Sequence, residues 1–121
     1  MRNTRLANPV LLGGDVHQNW VGNILANYND PKSDKVGVEF CGTSITSLTM
    51  LTNLEQAKII EQHPHFIFGD CEARGFGVVN ITPKEMTTTL KAVRDTTDPL
   101  SDAYTLAQFT VESGRADVHK L

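Results

Sequence analysis

The chain has 121 residues, 40% hydrophobic and 21% charged, enough for one domain with a modest core. Its formal net charge of -3 gives no electrostatic basis for binding nucleic acid or an anionic membrane, and no apolar run approaches the ~20 residues of a membrane helix. The start, Met1-Arg2-Asn3-Thr4-Arg5, is basic, but Asn8, Pro9 and the glycines beyond break up any apolar core, so no export signal is expected.

The first predicted strand runs from Pro9 to Leu12 and leads into Gly13-Gly14-Asp15-Val16-His17. Glycines let the backbone turn tightly and approach an ion closely. An acid and a histidine two residues apart then offer a mixed oxygen and nitrogen donor pair of the kind that suits zinc, iron or manganese. Gly-Gly-Asp is also an ordinary turn sequence, in which the Asp side chain bonds its own backbone. Two donors do not fill a coordination sphere. Gln18 to Ala26 reads as a short helix or an irregular segment, with Trp20 covering core. A polar loop from Tyr28 to Asp34 precedes a second strand, Val36 to Cys41. Glu39 sits in that apolar strand and needs a partner if it is buried. Thr43-Ser44-Ile45-Thr46-Ser47 follows, with four hydroxyls in five residues.

Helical spacing of Leu54, Ala57, Ile60 and Glu61 predicts a helix to Gln62, with Asn53 as its N-cap and Pro64 closing it. His63-Pro64-His65 leads into a third strand, Phe66 to Phe68, and Gly69-Asp70 reads as a turn. Arg74-Gly75 introduces a fourth strand, Phe76 to Ile81. Thr82-Pro83-Lys84-Glu85 has the form of a capping box with proline in first helical position, which predicts one helical turn before a strand from Met86 to Arg94. Asp95 to Asp102 is a loop. The strand Tyr104 to Glu112 alternates, with Thr105, Ala107, Phe109 and Val111 on one face. The tail from Arg115 is expected to be loose.

Cys41 and Cys71 are too few for a disulfide scaffold and too far apart for a redox pair. Cys41 reads as a small core residue. Cys71 lies between Asp70 and Glu72, whose charges disfavour a thiolate. The fold class expected from these elements is strand-rich α+β with an antiparallel meander in the later part.

The order of motifs carries a resemblance. Gly-Asp-x-His-x-x-Trp (Gly14 to Trp20) is followed by Val-Glu-Phe-x-Gly-Thr-Ser-Ile-Thr-Ser (Val38 to Ser47). Pro64-His65 then enters an apolar strand, Arg74-Gly75-Phe76 opens a strand ending in Ile81-Thr82-Pro83, and Phe109-x-Val111-Glu112-x-Gly114 closes the series. This series resembles the C-terminal end of the PhoD-like alkaline phosphatases, a branch of the calcineurin-like metallophosphoesterases. The resemblance implies the C-terminal portion of a metallophosphoesterase α/β sandwich, acting on phosphate esters as a phosphatase or phosphodiesterase with iron and calcium. It implies Asp15 and His17 as metal-site residues, where the wider superfamily has Gly-His-x-His. His65 and Arg74 are candidates for touching phosphate, since each donates charge-assisted hydrogen bonds. The bland alternatives are a histidine packed beside Pro64 and a turn arginine paired with Asp70 or Glu72.

Two positions depart from the family pattern. Its Asn-Pro-His is His63-Pro64-His65 here, and its Arg-Gly-Tyr is Arg74-Gly75-Phe76. Family members are secreted or periplasmic and several times longer, with most metal ligands upstream. The expectation is therefore a fragment that is inactive alone, completed by an upstream half and prone to self-association through uncovered surface. A non-catalytic remnant or small binding module is the competing reading. A third is a stand-alone metal-binding protein built on Asp15, His17, His63 and His65.

Overall fold

The computed structural model describes residues 6–121. Three strands come first: β1 (Val10–Gly13), β2 (Asn19–Leu25) and β3 (Lys35–Cys41). The helix α1 (Asn53–Gln62) and β4 (Phe66–Asp70) follow, then β5 (Gly75–Ile81), β6 (Glu85–Val93), β7 (Ala103–Glu112) and β8 (Val118–Lys120). They form two four-stranded sheets, ordered β1-β3-β2-β4 and β5-β6-β7-β8. The strand-rich α+β class expected from the sequence is what the chain adopts. The second sheet is an antiparallel meander of sequence neighbours, while in the first β1 runs parallel to β3.

The core lies between the sheets. Val21, Val38 and Phe40 from the first sheet meet Leu90, Ala107, Phe109, Val111 and Val118 from the second. Phe109 is fully buried, with its ring 6.0 Å from that of Phe40 and 5.4 Å from that of Phe68. The alternation expected in β7 holds for Ala107, Phe109 and Val111, which are all buried. It fails at Thr105. An irregularity in the β6–β7 register makes Leu106 the extra residue, and Thr105 falls opposite Lys91, whose Nζ donates to its hydroxyl at 2.9 Å.

Several expected elements are corrected. Residues 19–25 form an interior strand of the first sheet instead of a helix or irregular segment. Its alternation is hidden in the sequence because two of its inward positions are Asn19 and Asn23. Both are buried and bonded: Asn19 Oδ1 accepts from the Thr43 amide at 3.2 Å, and Asn23 Oδ1 from the Val118 amide at 3.1 Å. Gly69 and Asp70 belong to β4 and not to a turn. Thr82 to Glu85 is a hairpin turn, not a helical one. The Thr82 amide donates to the Glu85 carbonyl, and the Thr82 hydroxyl accepts from the Glu85 amide. The tail is not loose, since it returns as β8 and buries Val118. Cys41, expected in the core, is only half-buried, and its thiol donates to the Gly14 carbonyl at 3.6 Å.

The helix begins one residue earlier than expected, and its N-cap is Thr52 in place of Asn53. Thr52 and Glu55 form a capping box: the Glu55 amide donates to the Thr52 hydroxyl, and Glu55 Oε2 accepts from the Thr52 amide at 2.9 Å. Asn53 instead ties the helix to β4, its Oδ1 accepting from the Cys71 amide and its Nδ2 donating to Asp70. The buried helix residue is Gln56, lying over Gly69, while Leu54 is 71% exposed. Among the described residues, no helix is long and apolar enough to cross a membrane.

Candidate functional site

The Gly13–His17 segment joins β1 to β2 at one end of the first sheet. Asp15 and His17 both have positive φ, 77° and 58°. Left-handed backbone is uncommon for residues with a side chain, although Asp and His are enriched among those that adopt it, and such conformations gather at functional sites. Asp15 is exposed and His17 half-buried, so neither is packed into the core. His17 Nδ1 lies 3.2 Å from the Leu48 carbonyl oxygen, and as the protonated nitrogen it would donate there and leave Nε2 free as a donor atom for a metal.

Arg74 organises this end of the molecule. It is 6% exposed, and its Nη1 donates to the His17 carbonyl at 2.9 Å, the Ser44 hydroxyl at 3.0 Å and the Ser47 carbonyl at 2.6 Å. Nη2 donates to the Cys71 carbonyl, while Nε is buried without a partner among the described residues. Sequence reasoning pointed to phosphate or to an ion pair with Asp70 or Glu72. Those carboxylates are engaged elsewhere: Asp70 accepts from Ala73 and Asn53, and Glu72 accepts from the Asn53 amide. The hydroxyl-rich segment contributes here too, since Thr43 Oγ1 stands 3.2 Å from the carbonyls of both His17 and Ala73. Two separate segments, 43–48 and 71–74, thus converge on the metal-type loop through backbone oxygens. That convergence had no signal in side-chain types.

His65 is not brought to this end. The antiparallel β2–β4 register sets Asn19 against Asp70 near the loop, and Gly22 against Phe66 at the other end, where His65 lies. Burial and the neighbouring His63 make His65 harder to protonate than an ordinary histidine. Trp20, expected to cover core, is half-buried beside Phe66, and Glu39 is exposed.

Burial raises the Cys41 thiol first, and the charges of Glu39 and Asp15 add to it. Burial likewise raises Cys71, followed by Asp70 and Glu72. Both thiols are free and neither is set up as a nucleophile. Among the described residues, no three His, Cys, Asp or Glu side chains are placed to hold one metal ion together. The donor set here does not by itself fit a metal centre, which needs ligands from several segments.

A family model described as PhoD-like phosphatase matches residues 1–90. Alkaline phosphatase D of Bacillus subtilis (strain 168) is 28% identical over 123 residues, covering 100% of this chain and 21% of that protein. A solved structure described as "Structure of PhoD" superposes with a TM-score of 0.83 and 26% identity, over 99% of this chain and 23% of the other. The chain therefore spans about a fifth of the length of these relatives, with 21% and 23% covered.

Proposed function

This chain belongs to the PhoD-like phosphatase family, and from that premise we propose that it is one part of a metal-dependent phosphoesterase, contributing Asp15 and His17 to the metal centre. The observation that supports this most is the loop itself, with both residues at positive φ and the His17 carbonyl bonded to buried Arg74. A metal held by Asp15, His17 and further ligands would supply polarisation of a phosphoryl oxygen and activation of water. The family resemblance suggests iron and calcium. In this reading Asp15 presents a carboxylate, His17 presents an imidazole nitrogen, and Arg74 positions the loop without touching substrate. His65 takes no part in this centre.

The remaining ligands would come from the portion that the relatives have and this chain does not span. A docking route is available along β1 and β5. These are the edges on one side of the sandwich, where Leu12 and Gly13 share a cleft with Gly77 and Val79. Neither strand contains a charged residue, whereas the opposite edges carry Asp70 and Lys120. A second copy of the chain competes for the same edges when the upstream part is absent. The continuous core around Phe109 favours a second reading, a small module that folds without catalysing.

Hydrolysis of para-nitrophenyl phosphate and its bis-ester, with iron, calcium, zinc or manganese supplied, tests the proposal. The chain alone should match its His17→Ala variant. Adding the upstream part of a close relative should restore turnover, and Asp15→Asn or His17→Ala should remove it again. Metal-dependent turnover by the chain alone, lost in His17→Ala, would show that the site is complete. No turnover with the upstream part present would favour the module.

A further inference from the structure

The outer face of the first sheet carries a pocket, away from the metal-type loop, whose walls are largely aromatic. Trp20, Tyr28, Glu39, His65 and Phe66 line a cavity of about 150 Å³. The rings form a continuous series: Trp20 to Phe66 at 4.8 Å, Phe66 to His65 at 4.3 Å, and His65 to Tyr28 at 4.9 Å between centroids. Gly22 makes room beneath them, since a Cβ there would stand 2.9 Å from the His65 carbonyl oxygen and 3.1 Å from Phe66 Cδ1. Glu39 lies directly across the β2–β3 ladder from Gly22 and supplies a carboxylate.

The carboxylate of Glu39 in the lining of this pocket favours a cationic ligand. Among the described residues, neither lysine nor arginine lines it. The Trp20 indole N–H is already donated to Gln18 Oε1 at 2.8 Å, which leaves the ring face as its remaining surface for a ligand. Burial and His63 make the His65 ring harder to protonate than an ordinary histidine, and it contributes a wall. Aromatic faces carry negative quadrupole density, and a nearby carboxylate adds direct attraction for a cation. A methylated ammonium group is weakly hydrated and gives up little on entering an aromatic site. Phosphate and carboxylate ligands would meet the repulsion of Glu39.

We propose that this pocket binds a small organic cation of the quaternary ammonium class, with its methyl groups against Trp20 and Phe66 and its charge balanced by Glu39. The assignment stands apart from the phosphoesterase reading and survives its failure. Trp20 is the sole tryptophan of the chain and so reports directly on occupancy.

The test is a titration of the full chain with tetramethylammonium and with choline, followed by tryptophan fluorescence and by ligand-observed NMR at matched ionic strength. The control is the neutral isostere of choline in which tert-butyl replaces trimethylammonium. Both cations should give a saturable response and the isostere none. Glu39→Gln should weaken binding by about fivefold or more, and Tyr28→Ala by about threefold. Both residues are exposed, and unchanged melting curves would establish that the variants fold. No saturable binding by either readout would overturn the proposal. So would equal binding of the isostere, or a folded Glu39→Gln variant that binds as tightly as the parent.

Discussion

Arg74 and His17 meet through the main chain, with Arg74 Nη1 donating to the His17 carbonyl at 2.9 Å across 57 residues of sequence. The same guanidinium also serves Ser44, Ser47 and Cys71. A buried cation is costly unless its hydrogens are used, and here three carbonyls and the Ser44 hydroxyl take up the terminal N–H groups in place of a carboxylate. Arg74 therefore holds the Gly13–His17 loop through its main chain, at the His17 carbonyl.

Replacing Arg74 with Met should destabilise the chain by about 3 kcal/mol, because buried acceptors lose their donors together. Arg74→Lys should recover only part, since a point-like ammonium cannot match the planar fork. Denaturant unfolding measures the loss. Amide shifts confined to Val16–Gln18 and Ser44–Ser47 in Arg74→Lys would locate it, and a shift-free spectrum would argue against the positioning role.

Gly75 follows Arg74 at the start of β5, and a Cβ on it would lie 1.9 Å from the Lys91 carbonyl oxygen. The obstacle is backbone of the paired strand, so it cannot rotate aside. Gly75→Ala should cost about 3 kcal/mol or more by overpacking. Gly69→Ala meets only the Gln56 side chain, at 2.7 Å, and should cost less. Thermal melts of the two variants give the comparison, and equal losses would contradict it.

The pH dependence of stability follows from His65. Its folded-state pKa is lowered from the usual 6.5, by burial first and His63 second. The unfolded chain thus takes up a proton more readily, so the favourable contribution is present above 6.5 and is lost as pH falls below it. Melting temperature should drop between neutral pH and about 5, and His65→Gln should flatten that part of the profile. A profile identical in the variant would remove His65 as its source.

The uncharged edges β1 and β5 predict concentration-dependent association. Leu12 is 65% exposed, Val78 47% and Ile81 74%, and neither edge carries a lysine, proline or bulge to discourage pairing. Sedimentation velocity should show larger species as concentration rises, and Leu12→Lys combined with Ile81→Lys should suppress them. A parent chain that stays monomeric at every concentration would contradict this.

What the sequence disclosed depended on whether side chains carried the pattern. Val36 to Cys41 and Tyr104 to Glu112 were legible because apolar residues mark their inward faces. The strand through Asn19 and Asn23 was not, because two of its buried positions are amides satisfied by Thr43 and Val118, partners that only the folded chain supplies. Likewise Val118 is the only strongly buried residue of a three-residue strand, too short to show a period. At the site, the spacing of Asp15 and His17 was legible, while the grip of Arg74 on backbone oxygens left no mark on side-chain chemistry. The opposite-end placement of His65 follows from the β2–β4 register, which local sequence does not specify.

The two sheets also differ in how far the chain must travel to close them. Every pairing in β5-β6-β7-β8 joins consecutive strands, whereas β1 meets β3 by bringing Val10 to Val38 with β2 between them. Loop closure has to be completed before distant contacts can reward it, so the meander should gain protection first in pulse-labelled hydrogen exchange, at Leu90 and Phe109 before Val38. The stretch bearing Asp15 and His17 would then be the last to take shape, and the loop would set only once Arg74, at the head of the meander, is in place to receive it.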